Sequence, residues 1–257
     1  MKRFILYLIL FGILLPVFGH NHEDSLKGHI YFVENAGQWE QDFLFRAQLT
    51  NGKVYLFENK VMFDLFDADK VKDIMHFKFL PTDEKKLRKR PDTEVQHHSY
   101  EMVFLNSNTP LVEKRFEYPS YFNFYIGTDQ TRWKSDVHAW STIIYRDIYD
   151  GIDWYMYEQD EYLKHEFVLE PGANAGDILL EYSFVDNLSL NDGNLSVHTS
   201  IGRVLELKPV AWQLLNGDTV FVPCNYVLKG KQVSFEFPEG YDKNTELVID
   251  PTLVFST

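Results

Sequence analysis

The chain reads as all-β: antiparallel sandwich-like sheets, expected to pack as two subdomains. Three observations predict this. Short segments of alternating apolar and polar residues recur about every ten residues with turn chemistry between them. Aromatic residues make up 16% of the chain, mostly Tyr and Phe, which suits broad sheet faces. No long stretch of helical period is apparent in the sequence. At 257 residues the chain can bury one large β core or two small ones.

The clearest element is Ile143–Gly172, an expected central hairpin. On its first strand Ile152, Trp154 and Met156 face one way, with Asp153, Tyr155 and Tyr157 facing the other. On its second strand Leu163, His165, Phe167 and Leu169 oppose Lys164, Glu166, Val168 and Glu170. The polar run Glu158-Gln159-Asp160-Glu161 supplies the turn, and Pro171-Gly172 ends the second strand.

Before this hairpin, Met1–Gly19 has the form of a secretory signal peptide. Lys2 and Arg3 start it, Phe4–Leu15 is apolar, Pro16 breaks the run, and Val17 and Gly19 sit at the cleavage positions. The run is shorter than the roughly 20 residues a membrane span needs, so no span is expected after cleavage. The expected location is secreted or on the outer cell surface. Cleavage after Gly19 exposes His20-Asn21-His22, whose amine and histidines His20 and His22 can supply nitrogen ligands to Cu(II) or Ni(II).

A first β subdomain is expected over residues 20–120 and a second over 121–257. The first begins with a strand at Ile30–Val33 and a turn in which Gly37 supplies a positive φ. A meander follows, with Asn51-Gly52 as the strongest hairpin signal. Asp67–Asp73 reads as a loop or one helical turn. Ile74–Leu80 alternates and is expected to be a strand carrying a solvated His76. Residues 81–98 read as a polar loop with a basic patch and the solvated pair His97-His98. The string Tyr118, Tyr121, Phe122, Phe124, Tyr125 is expected mainly as core. After Gly172, hairpin turns are expected at Asp192-Gly193, Ser200–Arg203, Asn216–Asp218 and Lys229–Lys231.

The net charge of −13 argues against nucleic acid and anionic membranes as partners. Cys224 is the only cysteine, so neither an internal disulfide nor a thiolate metal cluster can form. The common hydrolase, metalloprotease, P-loop and dinucleotide-binding motifs are not found. What remains is a short set of candidates. Trp133, Trp140 and Tyr125 are aromatics that can stack on a sugar if exposed. Asp147, Asp150 and Asp153 flank Gly151 and can converge on Ca²⁺ or simply form a turn. The Asp186–Asn194 stretch offers the same two choices. Glu166 and Asp153 can be drawn as a glycosidase carboxylate pair.

Several stretches together carry a family likeness. They are Phe32–Gln38; Asn123–Asp129 with Trp133; Tyr149–Asp153; Phe167–Ala173; Thr199–Gly202 with Glu206, Pro209 and Gln213; and Leu247–Pro251 with Phe255–Thr257. In this order the chain resembles the uncharacterised N-terminal domain of bacterial cell-surface proteins with SBBP-type β-propeller repeats. Those proteins often end in a gliding-motility-associated, type IX secretion tail. Trp154 and Trp212 depart from the family's more usual aliphatic residue and Tyr. The resemblance implies an extracellular β-rich module without an assigned activity, followed in the family by a propeller that this sequence does not contain. The final strand at Leu253–Phe255 is expected either to pair in the last sheet or to offer a free edge. The resulting expectation is a noncatalytic scaffold or interaction module meeting a surface glycan or protein. The alternative is a carbohydrate-binding module or glycan-active enzyme using exposed aromatics. No resident cofactor is expected beyond the Ca²⁺ option.

Overall fold

The computed structural model describes residues 30–159 and 162–256. The leader, His20, His22 and the turn residues Asp160 and Glu161 lie outside the described residues. The chain opens with β1 (Phe32–Glu34), β2 (Phe45–Leu49), β3 (Gly52–Leu56) and β4 (Lys60–Phe66). Two helices follow, α1 (Ala68–Phe79) and α2 (Thr82–Leu87). Next come β5 (His97–Phe104), β6 (Leu111–Glu117), β7 (Phe122–Phe124) and β8 (Lys134–Val137). The centre is β9 (Ala139–Tyr149), β10 (Ile152–Gln159) and β11 (Tyr162–Leu169). The remainder is β12 (Leu180–Ser183), β13 (Asn187–Asn191), β14 (Asn194–Thr199), β15 (Gly202–Glu206), β16 (Val210–Leu215), β17 (Asp218–Val222), β18 (Asn225–Lys229), β19 (Gln232–Glu236), β20 (Leu247–Asp250) and β21 (Leu253–Ser256).

A 15-stranded antiparallel sheet dominates, with a 4-stranded sheet β13-β14-β15-β21 and the pair β7-β8 beside it. Strand β9 organises it. Residues 142–145 pair with β10 on one edge and β6 on the other, while Trp140 pairs with Phe32 of β1 and Glu117 of β6. β1 and β10 therefore follow one another along the same edge of β9, and the sheet forks there. One arm runs β10-β11-β20-β16-β17; the other runs β1 to β5, then β12, β19 and β18. The arms face each other. Phe104 of β5 meets Trp154 of β10 at 5.0 Å and Phe167 of β11 at 6.4 Å, and Phe167 meets Phe235 of β19 at 5.9 Å between ring centroids. Ladders β5–β12 and β1–β9 join residues on both sides of position 120.

The expected alternation holds in the central hairpin. Ile152, Trp154, Met156, Leu163, His165, Phe167 and Leu169 are buried, and their neighbours on the opposite face are half-buried. Full burial of such side chains contributes roughly 1.5–3 kcal/mol each before entropy is subtracted. The final strand pairs with β15 rather than standing free. Turns at Asp192-Gly193 and Asn216-Gly217 place both central residues at positive φ, as a two-residue hairpin of the twist-compatible kind requires.

The Asn51-Gly52 signal marks a real hairpin, but for a different reason. The pairing Leu49↔Gly52 makes Thr50-Asn51 the loop and puts Gly52 inside β3. A Cβ there would lie 2.3 Å from the Asp64 carbonyl oxygen and 2.9 Å from Leu65 Cα. This glycine permits close approach of β3 and β4. Gly52→Ala is expected to destabilise the fold by about 1–3 kcal/mol in urea denaturation. An unchanged midpoint would contradict the close packing.

Three expectations are corrected. Ile74–Leu80 is not a strand; it belongs to α1. The Asp67 carboxylate caps the helix by accepting from Lys70 N at 2.9 Å, and Leu80, extended ahead of Pro81, ends it. Both edges of β4 are already occupied, by β3 and β5, so the segment has no ladder to join. The loop at 81–98 contains α2, and its last two residues begin β5. Finally, His98 is not a loosely solvated loop residue. Its Nδ1 accepts from Ser200 N at 3.1 Å, and its Nε2 lies 2.8 Å from the Phe184 carbonyl, tying β5 to two loops.

Candidate functional site

Three regions hold the candidate residues singled out from sequence, and a fourth lies in the interior. The first is the β7–β8 arm. Tyr125 is 62% exposed and Trp133 38% exposed. Their rings meet at 5.7 Å and 80°. The Tyr125 hydroxyl lies 2.9 Å from Ser135 Oγ, and Trp133 Nε1 donates to the Gly127 carbonyl at 3.3 Å. Trp140 is not part of this pair. It is half-buried on β9, packed against the core, with Lys114 Nζ 5.1 Å above its ring. The aromatic string divides by side. Tyr118, Phe122 and Phe124 are half-buried and run ring to ring towards Trp39, whereas Tyr121 and Tyr125 face solvent. The core expectation therefore fails for the latter two, because alternation on so short a strand sends every second ring outward.

The second region is the β9–β10 turn. Asp147 sits at φ +50° where the register slips, a bulge. Its N–H donates to Asp153 Oδ1 at 2.9 Å, and its carboxylate accepts from Gly151 N at 3.3 Å. Asp150 accepts from Asn108 Nδ2 at 2.9 Å, and Arg146 holds the other Asp153 oxygen. The structure brings the three aspartates together as acceptors that shape a turn. Among the described residues no group of three or more His, Cys, Asp or Glu side chains is placed to hold a metal ion. In the Asp186–Asn194 stretch, Asp192 forms a turn and Asn194 accepts from Lys208 N at 2.8 Å.

The third region is the outer face of the central hairpin. Arg146 donates to Glu113 at 2.9 Å, to the Tyr155 hydroxyl at 2.9 Å and to Asp153. Arg146 lowers the Glu113 carboxyl below its ordinary range. Glu166 lies one step further along this face. Extending the register Phe167↔Ile249 puts it opposite Asp250, not Asp153. Burial, then the charge of Asp250, pushes Glu166 up to about 7; the Tyr157 hydroxyl, donating at 3.1 Å, and Lys164 pull the other way. Lys164 itself binds Asp250 at 2.7 Å. Across the sheet Glu166 thus faces Tyr155 and Asp250, while both Asp153 oxygens are taken by Arg146 and a backbone amide. Sequence separation hid Asp250, which reaches Glu166 only through the β11–β20 ladder.

The fourth region was not anticipated. Inside the fold, His165, Glu206 and Gln213 are buried polar residues, as is Gln38 at the other end. Gln38 accepts from Ala36 N at 2.7 Å and donates to the Glu34 carbonyl at 2.7 Å, closing the turn that Gly37 opens. Asn35 donates to the Phe43 carbonyl at 3.0 Å and accepts from Gly37 N at 3.1 Å. Gln213 grips the loop before β20, donating to the Asp242 carbonyl at 2.7 Å and accepting from Asp242 N at 2.9 Å. Cys224 is buried, and burial pushes its thiol up to about 12, so it is no nucleophile at neutral pH. No helix among the described residues is long and apolar enough to cross a membrane.

This geometry defines an all-β domain of facing antiparallel layers whose buried glutamines bracket its loops. Residues 32–252 match the family described as a domain of unknown function, DUF7948, and the chain belongs to that family. No curated protein and no solved structure matches it.

Proposed function

We propose that the chain is a noncatalytic β-rich scaffold and interaction module of a secreted or cell-surface bacterial protein. In this reading Met1–Gly19 directs export, and the module stands ahead of SBBP-type propeller repeats in proteins that use type IX secretion. The observation that carries it is the fate of the polar residues within the stretches that bear the family likeness. Asn35, Gln38 and Gln213 spend their hydrogen bonds on neighbouring backbone, and Glu206 lies in the core. Groups bonded in this way hold loops in place, which supports a structural role. The shallow hollow lined by Asn108, Asp150 and Asp177 opens on a turn whose carboxylates are already bonded.

A carbohydrate-binding module is the second reading, favoured by the exposure of Tyr125 and Trp133. Crossed at 80°, the two rings do not form the side-by-side platform on which sugar faces stack. A glycan array with the secreted protein and a Tyr125→Ala/Trp133→Ala variant separates the two. The scaffold reading expects no hits for either protein. Hits that vanish in the variant would replace it with the carbohydrate reading.

A further inference from the structure

We infer that a single water molecule is bound in the interior, joining His165 of β11, Glu206 of β15 and Tyr100 of β5. Trp154 fixes the chemistry. Its indole nitrogen lies 3.1 Å from His165 Nδ1. An indole N–H only donates, so Nδ1 must present a lone pair. The imidazole is therefore neutral and carries its proton on Nε2. That N–H points into the core, where Nε2 and Glu206 Oε2 stand 3.9 Å apart. This is too long for a hydrogen bond, and neither atom has a protein partner. The other Glu206 oxygen accepts from the Tyr182 hydroxyl at 2.6 Å.

The Tyr100 hydroxyl is a third buried polar atom without a protein partner. Its ring stacks on Tyr182 at 6.5 Å, and the Glu206 charge acts on it. The Tyr226 hydroxyl donates to the Leu207 carbonyl at 3.2 Å and is also a hydrogen-bonding neighbour of this carboxylate, although no protein group lies within direct bonding distance of Oε2. Buried polar groups left without partners are costly. His165 Nε2 and Glu206 Oε2 face each other across 3.9 Å, and the unpartnered Tyr100 hydroxyl belongs to the ring stacked on Tyr182, which binds the same carboxylate. A water supplies what each lacks. It accepts from Nε2–H, donates to Oε2 and makes a third bond with the Tyr100 hydroxyl. Atoms 3.9 Å apart can both be reached by one oxygen at the usual hydrogen-bond length of about 2.8 Å, and buried waters commonly make about three bonds. A cation does not fit, because Nε2 offers it a hydrogen instead of a lone pair. The water would tie both arms of the forked sheet to the small sheet, a polar joint in a largely apolar interior.

Two measurements on the folded protein test this. Long-range ¹H–¹⁵N spectra of the His165 ring at neutral pH should show the Nε2–H tautomer, and that proton should show a nuclear Overhauser contact to a long-lived water. An Nδ1–H tautomer, an imidazolium, or no water contact overturns the inference. Tyr100→Phe separately removes one bond to the water and should lower Tm. A raised Tm would mean that the hydroxyl bonded nothing, and would also overturn it.

Discussion

Trp154→Ala should cost about 3–5 kcal/mol in urea denaturation, roughly a fifth or more of the stability ordinary for a domain. The indole is wholly buried where the two arms meet, 5.0 Å from Phe104 and 5.3 Å from Tyr145 between ring centroids. Removing it opens a cavity that the two layers cannot close without breaking ladders. It also strips His165 Nδ1 of its donor. Trp154→Phe separates the two effects. It keeps most of the apolar contact and orphans only the imidazole nitrogen, so about 1–3 kcal/mol is expected. Losses below about 1 kcal/mol for the alanine variant would mean that the arms do not pack through this residue.

Glu166→Gln should remove a fall in stability that the unaltered protein shows as pH rises. The folded state holds the Glu166 carboxyl at about 7, above its ordinary 4.5. Between those values the unfolded chain has lost the proton and the folded chain retains it. Stability is therefore full below about 4.5 and declines as pH rises through about 7. The expected decline is on the order of 2 kcal/mol, less than the full shift implies because Glu166 is only half-buried. Glu246 is raised as well and contributes in the same direction, so the comparison is between the two proteins at each pH. Urea melts at pH 5, 6, 7 and 8 decide the matter. Parallel profiles would show that Glu166 ionises as an exposed carboxylate does.

The fold was legible in the sequence wherever one face of a strand is buried. Ile152, Trp154 and Met156 announce their side because burial selects every second residue. The two-residue turns were legible because Asp192-Gly193 and Asn216-Gly217 need positive φ at both positions. Helix α1 was misread because Ile74–Leu80 alternates by chance. The competing signal is a stripe of half-buried or buried Ala68, Val71, Ile74 and Phe77 at spacing three, behind the capping Asp67. The interior cluster was not legible. His165 lay in the expected buried row, yet Glu206, Tyr182 and Tyr100 reach it only through the packing of separate sheets. Asp250 escaped notice for the same reason: cross-strand neighbours far apart in sequence leave no local pattern.

Hydrogen exchange resolved by residue tests most directly that the forked sheet is held at β9–β11. Amides of Ile143–Tyr145, Trp154–Met156 and Leu163–Phe167 lie in paired strands beneath buried side chains. They should exchange slowest of all, by global unfolding alone, while the edge strands β17 and β18 exchange faster. Exchange at β10 and β11 as fast as at those edges would contradict it.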